Sequence, residues 1–492
     1  MLPRLQLAGL PSLPATVAVP ERSIPSAPIG IVHLGIGAFH RAHQAIYTDD
    51  AIAAKGGDWG ICGVSLRSAD VRDRLAPQDG LYTGVEKSRE GVKRAIVGSV
   101  REVLFLGEDR TRIELRLASP QTKIVSLTVT EKGYCHDPAT GALNFAHPDV
   151  VHDLATPEAP VSVVGLLART FAARRAGAAG PLTVVCCDNL PHNGRVLSGI
   201  VLAFAQRVDA TLARWIEANA SFPSTMVDRI VPATTAADIA DNDAALGRHD
   251  AAPVVYEPFR QWVIEDAFVT PRPAWEAGGA QFVADVAPFE AMKLRLLNAS
   301  HSAFAYLGFL AGHEFIYQVA EQPHFVALMR ALMEREVTPT LAVPPGVDLA
   351  AYREALVTRF GNPALPHRTQ QIAMDGSQKL PQRLLDTARE NLAAGRDVRL
   401  VALAVAGWMR YVAGIDEAGH PINVSDPLAG EFAKIAEARR GDPVALAQAL
   451  LGIRAIFGDD LPRNARFTGA VADWLAALYA EGAARVVARA LR

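Results

Sequence analysis

The stretch Ile31-Val-His-Leu-Gly35-Ile-Gly37-Ala38-Phe39-His40-Arg41-Ala-His43-Gln44 decides how the chain is read. A short apolar run leads into Gly-x-Gly and then into a helical pattern. Gly35 permits a tight turn, Gly37 lets a pyrophosphate approach the backbone, and Ala38 and Phe39 open the helix whose N-terminus would meet it. The usual third glycine is replaced by His40, so a plain strand-turn-helix stays open as the alternative. His40 and His43 lie three apart, but no further His, Cys or carboxylate at ligand spacing completes a set, and no metal is expected.

Working outward, apolar strand-like runs recur at 60–66, 124–129 and 182–187, with helical patterns between them, such as 42–54 and 161–175. That alternation predicts α/β architecture, a largely parallel, doubly wound Rossmann-type sheet with helices on both faces. Residues 1–28 are proline-rich without periodicity and read as an extended arm. From about 286 strand signals fade. Helical patterns at 288–311, 323–335, 384–393, 400–412, 443–451 and 468–491 predict a mostly α-helical second domain, with a loop at 338–348. The division is 1–285 for a dinucleotide-binding domain and 286–492 for a helical domain that would carry substrate and catalysis. A length of 492 residues fits two cores better than one.

Composition narrows the partners. The net charge is −3 and 50% of residues are hydrophobic. No basic block favours nucleic acid or an anionic membrane. No apolar run is long enough to span a bilayer, and the first one is broken by Gly9 and Pro11, so neither a membrane anchor nor a secretory leader is expected. Cys62, Cys135, Cys186 and Cys187 show no CxxC spacing and read as small buried hydrophobes in a reducing cytoplasm. No heptad or open-edge pattern argues against a monomer.

Several motifs carry chemistry. Lys293-Leu-Arg-Leu-Leu-Asn298-Ala-Ser-His301 places an amine, an amide and an imidazole in an apolar helical run. At about 100° per residue, Glu290, Lys293, His301 and Asn298 share an arc of about 140°, while Met292, Leu296, Ala299, Ala303 and Leu307 gather opposite. The strand at 60–66 should end near an acid that grips a ribose, yet Arg67 follows it and Asp70 comes late. Arg67 could take a 2′-phosphate, so NAD and NADP both remain open on the residues. Thr128-Val-Thr-Glu131-Lys132-Gly133-Tyr134 and Cys187-Asp188-Asn189 leave strands at the edge where open α/β sheets bind ligands. Asp188 and Asn193 have an alternative use as caps of the next helix. Asp228 and Arg229, a charged pair inside an apolar run, fit either a structural ion pair or a grip on sugar hydroxyls. In His367-Arg368-Thr-Gln-Gln-Ile-Ala-Met-Asp375-Gly-Ser-Gln-Lys379-Leu-Pro-Gln-Arg383, Arg368 and Lys379 suit an anionic or polyhydroxylated substrate. Arg260 is either a further grip or the partner of Glu257 or Glu265.

Taken together, His33–His43, Thr128–Tyr134, Cys187-Asp-Asn189, Met226-Val-Asp-Arg229 and Lys293-x4-Asn298-x2-His301 resemble the polyol-specific long-chain dehydrogenases, in the same order from about residue 30 onward. Residues 257–266 and 367–379 look most like the fructuronate reductase branch, whereas 63–70 and 76–82 look more like bacterial mannitol dehydrogenases. The resemblance implies metal-independent, NAD-linked interconversion of a secondary alcohol and a ketone in a small sugar acid or polyol. It implies that Lys293 is the general base, that Asn189 and Asn298 hold the developing oxyanion, and that His301 orients substrate. A lysine among apolar groups beside a nicotinamide cation loses proton affinity and can accept the hydroxyl proton, with Glu290 placed to relay it. The expected cofactor contacts are Gly35, Gly37, Ala38, Phe39, Arg67 and Glu131, and the expected substrate contacts are Asp228, Arg229, Arg368 and Lys379.

Overall fold

The computed structural model describes residues 2–21, 24–137 and 140–491. Two compact units divide the chain, Met1–Ala287 and Pro288–Arg492.

In the first unit the apolar runs become strands. They are β1 (Ile29–Leu34), β2 (Gly60–Ser65), β3 (Val100–Phe105), β4 (Ile124–Leu127), β5 (Leu182–Cys186) and β6 (Ala220–Ser221). They form one sheet in the order β3-β2-β1-β4-β5-β6, with every neighbouring pair parallel. Strand order reverses beside β1, which opens a crevice at the carboxyl ends of β1 and β4. Side chains alternate across the sheet. Val32, Leu34, Val125, Leu127, Val184 and Cys186 face one core, under helices Arg110–Ala118, Val163–Ala176 and Asn193–Val208. Ile31, Ile124, Val185 and Cys187 face the other, under helix Gln44–Lys55. Both faces are covered, so the strands read as continuous apolar runs rather than as alternating ones. The expected doubly wound sheet is present.

Some expectations need correction. The helix expected at 42–54 is two helices, Ala38–Ala42 and Gln44–Lys55, broken at His43 with φ −130° and ψ −89°. The strand patterns running to 129 and 187 stop at Leu127 and Cys186, because the chain there turns into the edge loops. Two smaller sheets lay outside the reading. One orders Val17–Ala18, Gly91–Val97, Tyr82–Ser88 and Val254–Tyr256. The other orders Thr225–Asp228, Gln261–Glu265 and Gln281–Val283. Their strands are short and partly charged, and most pair with segments distant in sequence, so periodicity carries little of them. The arm at 1–28 is not simply extended. Leu7–Ser12 is a 3-10 helix and Val17–Ala18 pairs with Gly91–Val97, burying Leu5 and Val17 against Leu81, Ile96 and Leu246. Met1, Arg22 and Ser23 of that arm lie outside the described residues.

The second unit is helical, as expected, around helix Arg399–Val412, buried from Leu400 onward, and helix Ala299–Leu310. The single helix expected at 288–311 is instead helix Ala287–Met292, a π-helical turn Lys293–Asn298 and helix Ala299–Leu310. The wider turn voids the angles drawn for an ideal helix. Ala299–Leu310 is also buried nearly all round, so its polar side chains, His301 among them, are enclosed rather than turned to solvent. The pattern at 323–335 likewise runs into a π-turn, Leu332–Val337. The pattern at 468–491 divides at Gly482 into Ala465–Glu481 and Ala483–Arg489.

Candidate active site

At the carboxyl edge of β1, Gly35 has φ +94°, and a Cβ there would lie 2.1 Å from the Thr128 carbonyl oxygen at the end of β4. Only glycine fits this crossing of two strand ends. Gly37 caps helix Ala38–Ala42. A Cβ on it would meet nothing nearer than the Gly35 oxygen at 3.8 Å, so its backbone is open to an approaching group. Ala38 and Phe39 are half-buried beside it. Beneath the turn, His33 is fully buried. It contacts Ser126 Oγ at 2.8 Å and Thr128 Oγ1 at 2.9 Å, and its ring stacks on that of His40 at 3.4 Å. Burial lowers the His33 pKa to about 3 and that of His40 well below its ordinary value, so both imidazoles are neutral. These histidines brace the turn.

The edge loop after β4 is held by one carboxylate. Asp188, just past β5, accepts from the Val129 N–H at 2.8 Å, the Thr130 N–H at 3.0 Å and the Tyr134 hydroxyl at 2.5 Å. Thr130 sits at φ 66°, a conformation these bonds help hold. Burial raises the Asp188 pKa despite the three donors. Glu131 and Asn189 are exposed at this edge, and so is Arg67 beyond β2, where Ser68 donates to Asp70. Asn193 is not a helix cap. Its amide donates to the Asp188 and Thr225 carbonyls and accepts from the Thr225 N–H, tying β5 to strand Thr225–Asp228.

Asp228 is buried at the end of that strand. Arg229 is buried as well, and its donors turn inward. Nε donates to the Glu257 carbonyl at 2.9 Å, Nη1 to the Ala42 carbonyl at 2.7 Å, and the guanidinium stacks 3.7 Å from the Tyr256 ring. This is a structural cation rather than one presented to substrate. Arg260 pairs with Asp50 at 2.6 Å and stacks over Tyr47, not with Glu257 or Glu265.

One further group joins metal-ligand types among the described residues: Cys135, His147 and Asp149, with ligand atoms within 4.8 Å of one another. His147 already uses Nδ1 to accept the Asp149 N–H as the cap of helix Pro148–Ala155, and we read the group as that cap.

In the second unit, Glu290 and Lys293 are half-buried, one turn apart, and Asn298 and His301 are each 8% exposed on the same run. His301 is stacked between Phe360 at 4.8 Å and His367 at 5.9 Å, which fixes its ring. Its Nε2 is buried with no hydrogen-bond partner among the described residues. Burial, followed by His367 and then the positive charges of Arg383, Arg359 and Lys379, keeps it neutral. Lys379 is half-buried and donates to the Met374 carbonyl at 2.5 Å. Arg368 is 62% exposed and pairs with Glu314. The sequence reading passed over Arg383, which donates from Nη1 to Ser302 Oγ at 3.0 Å and to the Asn298 carbonyl at 3.4 Å. It also passed over His367. Both lay inside the donor-rich stretch at 367–383, whose density of polar groups was the available signal.

No helix among the described residues is long and apolar enough to cross a membrane. A D-mannonate oxidoreductase of Escherichia coli (strain K12) is 51% identical over 93% of this chain and 95% of its own length. The structure of Pseudomonas fluorescens mannitol 2-dehydrogenase in ternary complex with NAD and D-mannitol is 41% identical, with a TM-score of 0.88 over 99% of each chain. A substrate-free D-sorbitol dehydrogenase structure is 33% identical, with a TM-score of 0.90 over 99% of this chain and 100% of that one. Residues 29–277 match the mannitol dehydrogenase Rossmann domain and residues 285–479 the mannitol dehydrogenase C-terminal domain. With the strand order, the glycine turn and the Lys-Asn-His run already in place, this makes the chain an oxidoreductase of the mannitol dehydrogenase family.

Proposed function

We propose that the protein interconverts D-mannonate and D-fructuronate with NAD(H), acting on a secondary hydroxyl without a metal ion. The observation that carries the uronate reading is the similarity to the E. coli D-mannonate oxidoreductase, 51% identical over 93% of this chain. After His367, the groups acting on the buried His301 imidazole are Arg383, Arg359 and Lys379, and a cationic surround suits a substrate that brings its own carboxylate.

The glycine turn at Gly35 and Gly37, at the point where strand order reverses, fits a dinucleotide, whose nicotinamide ring exchanges hydride with the substrate carbon. The chain's own residues do the rest. Lys293 accepts the hydroxyl proton in oxidation and returns it in ketone reduction. The amides of Asn189 and Asn298 donate to the oxygen as negative charge develops there, a stabilisation that grows toward the transition state. His301, neutral and fixed by stacking, donates to or accepts from a neighbouring hydroxyl. Glu290, one turn before Lys293, relays the proton to solvent. Lys379, half-buried, and Arg368, exposed, are the candidates to meet a carboxylate.

The test is steady-state reduction of D-fructuronate and of D-fructose by the purified protein, each with NADH and with NADPH. Preference for fructuronate with NADH, by at least about tenfold in kcat/KM, supports the reading; that ratio is about 1.4 kcal/mol of transition-state discrimination. Preference for fructose would move the chain to the mannitol 2-dehydrogenase reading, which the likeness to the Pseudomonas enzyme favours.

A further inference from the structure

The segment bearing the proposed base is not one continuous α-helix, and what holds its irregular turn is visible. Ala287–Met292 is α-helical, Lys293–Asn298 is a π-turn, and Ala299–Leu310 is α-helical again. The Ala299 N–H bonds the Leu294 carbonyl, five residues back. A π-turn holds an extra residue and is less stable than the α-turn it replaces. Reversion to α register would rotate Lys293 relative to Asn298 and His301 by about 100°, one residue's worth of helix. Something outside the segment has to make the wider turn the stable one.

We propose that Arg383 is a positioning residue for the reaction, clamping the π-turn that sets Lys293 and Asn298. Its Nη1 donates both to the Asn298 carbonyl, the last of the π-turn, at 3.4 Å, and to Ser302 Oγ, one helical turn on, at 3.0 Å. One cationic donor therefore bridges the junction where the two registers meet. Ser302 is fully buried and Arg383 half-buried, so the Ser302 end of the clamp is sheltered from competing water. Arg383 lies in a second π-turn, Pro381–Leu385, packed against the first, so its own direction is set by an equally irregular backbone. On the other side of the Lys293 turn, Arg295 donates to the Thr340 carbonyl at 3.0 Å and pairs with Glu390 at 2.6 Å, fixing the segment where it faces solvent. Arg383 acts through Lys293 and Asn298, and the inference rests on the proposal that those two residues act on substrate.

The test compares full-length Arg383→Ala, Arg383→Lys, Ser302→Ala and Lys293→Met, using D-fructuronate or D-fructose, whichever the parent reduces. Arg383→Ala is expected to lower kcat about 30- to 100-fold, the range that a misplacement of about 1 Å produces. Its KM for the uncharged D-fructose should stay within about threefold and its NADH Kd should not change, since uniform binding of an uncharged substrate is untouched. Amide hydrogen exchange across 298–302 should speed at least about tenfold in the same variant. Added guanidinium and the Arg383→Lys variant should each restore part of kcat. Ser302→Ala, which removes one of two acceptors, should lower kcat about threefold and keeps the test alive if Arg383→Ala does not fold. An unchanged kcat and exchange rate in Arg383→Ala overturns the clamp, as does an activity loss matched by equal loss of NADH binding and unfolding midpoint. If Lys293→Met retains turnover, the catalytic reading itself fails. If Lys293→Met is inactive while Arg383→Ala is normal, only the clamp fails.

Discussion

Arg229 shows what a single residue's surroundings decide. In sequence it stands beside Asp228 in an apolar run and fits a sugar grip as well as a structural pair. In the fold, its guanidinium donates to the carbonyls of Ala42 and Glu257 and covers the Tyr256 ring. Those partners are distant along the chain, so nothing local separates the two uses. The structural role predicts that Arg229→Lys loses the planar stack and at least one carbonyl bond. The expected cost is about 2 kcal/mol, or roughly 4–8 °C in the unfolding midpoint of a unit of this size. Substrate KM should stay within about twofold, because only uniform binding would raise it alone. Differential scanning calorimetry and Michaelis kinetics on the one variant decide the matter: a raised KM with an unchanged midpoint would return Arg229 to the substrate.

Among the elements, the parallel sheet was the most legible, because both of its faces are buried and its strands are continuous apolar runs. The glycine turn was legible too, since Gly35 answers a steric demand no other residue meets. The π-turns were not. Lys293–Asn298 and Leu332–Val337 have ordinary helix-forming composition, and only Pro381–Leu385 carries a local signal, the proline that opens it. What selects the wider register lies on other elements, as with Arg383, and a pattern search that assumes 3.6 residues per turn misplaces every side chain across it. The Leu332–Val337 turn carries its own consequence. It presents Glu336, 2% exposed, to the N-terminus of helix Arg399–Val412, where the carboxyl accepts from the Leu400 and Val401 N–H groups, each at 2.8 Å. Burial raises its pKa to about 7 in spite of those donors. A carboxyl with a raised folded pKa binds its proton more tightly in the native state, so stability declines as pH rises through the interval from the unfolded value to about 7. Glu336→Gln, which cannot ionise, should remove that decline. It should also cost about 1 kcal/mol throughout, from one weakened N–H contact. Urea midpoints of the two proteins between pH 5.5 and 8 would show it: parallel curves would mean that Glu336 does not titrate there.

Across the whole molecule, two sets of buried groups pull the pH dependence of stability in opposite directions. Asp49 resembles Glu336: burial raises its pKa to about 7 although it accepts from the Gly98 and Ser99 N–H groups. Against these carboxyls stand buried histidines. Burial lowers His33 and His43 to about 3, and lowers His40 and His301 well below the ordinary value. For a histidine with a depressed folded pKa, the unfolded chain takes up a proton below about 6.5 and the native state does not, so stability falls with pH from there downward. From pH 8 toward 6.5 only the carboxyls respond, and native proton uptake stabilises the fold. Between about 6.5 and 4 the two sets oppose each other. Burial also raises Asp188 and Asp250 and lowers His136, His313 and His367, so seven imidazoles outnumber four carboxyls. Below about 4 the carboxyls are protonated in both states and stop compensating, so the decline steepens. The expected profile is a shallow maximum near pH 6.5, a gentle fall on the alkaline side and a steeper one toward acid. His301, His313, His367 and Glu336 belong to the second unit and the rest of these groups to the first, so unfolding need not be two-state, and each unit should be followed by its own probe. Urea unfolding from pH 4.5 to 8.5, read by hydrogen exchange resolved to each unit, tests this directly. Stability that rises steadily from pH 8.5 down to 4.5 would mean that the buried imidazoles take up protons within the native fold, and that the cavities around them admit water.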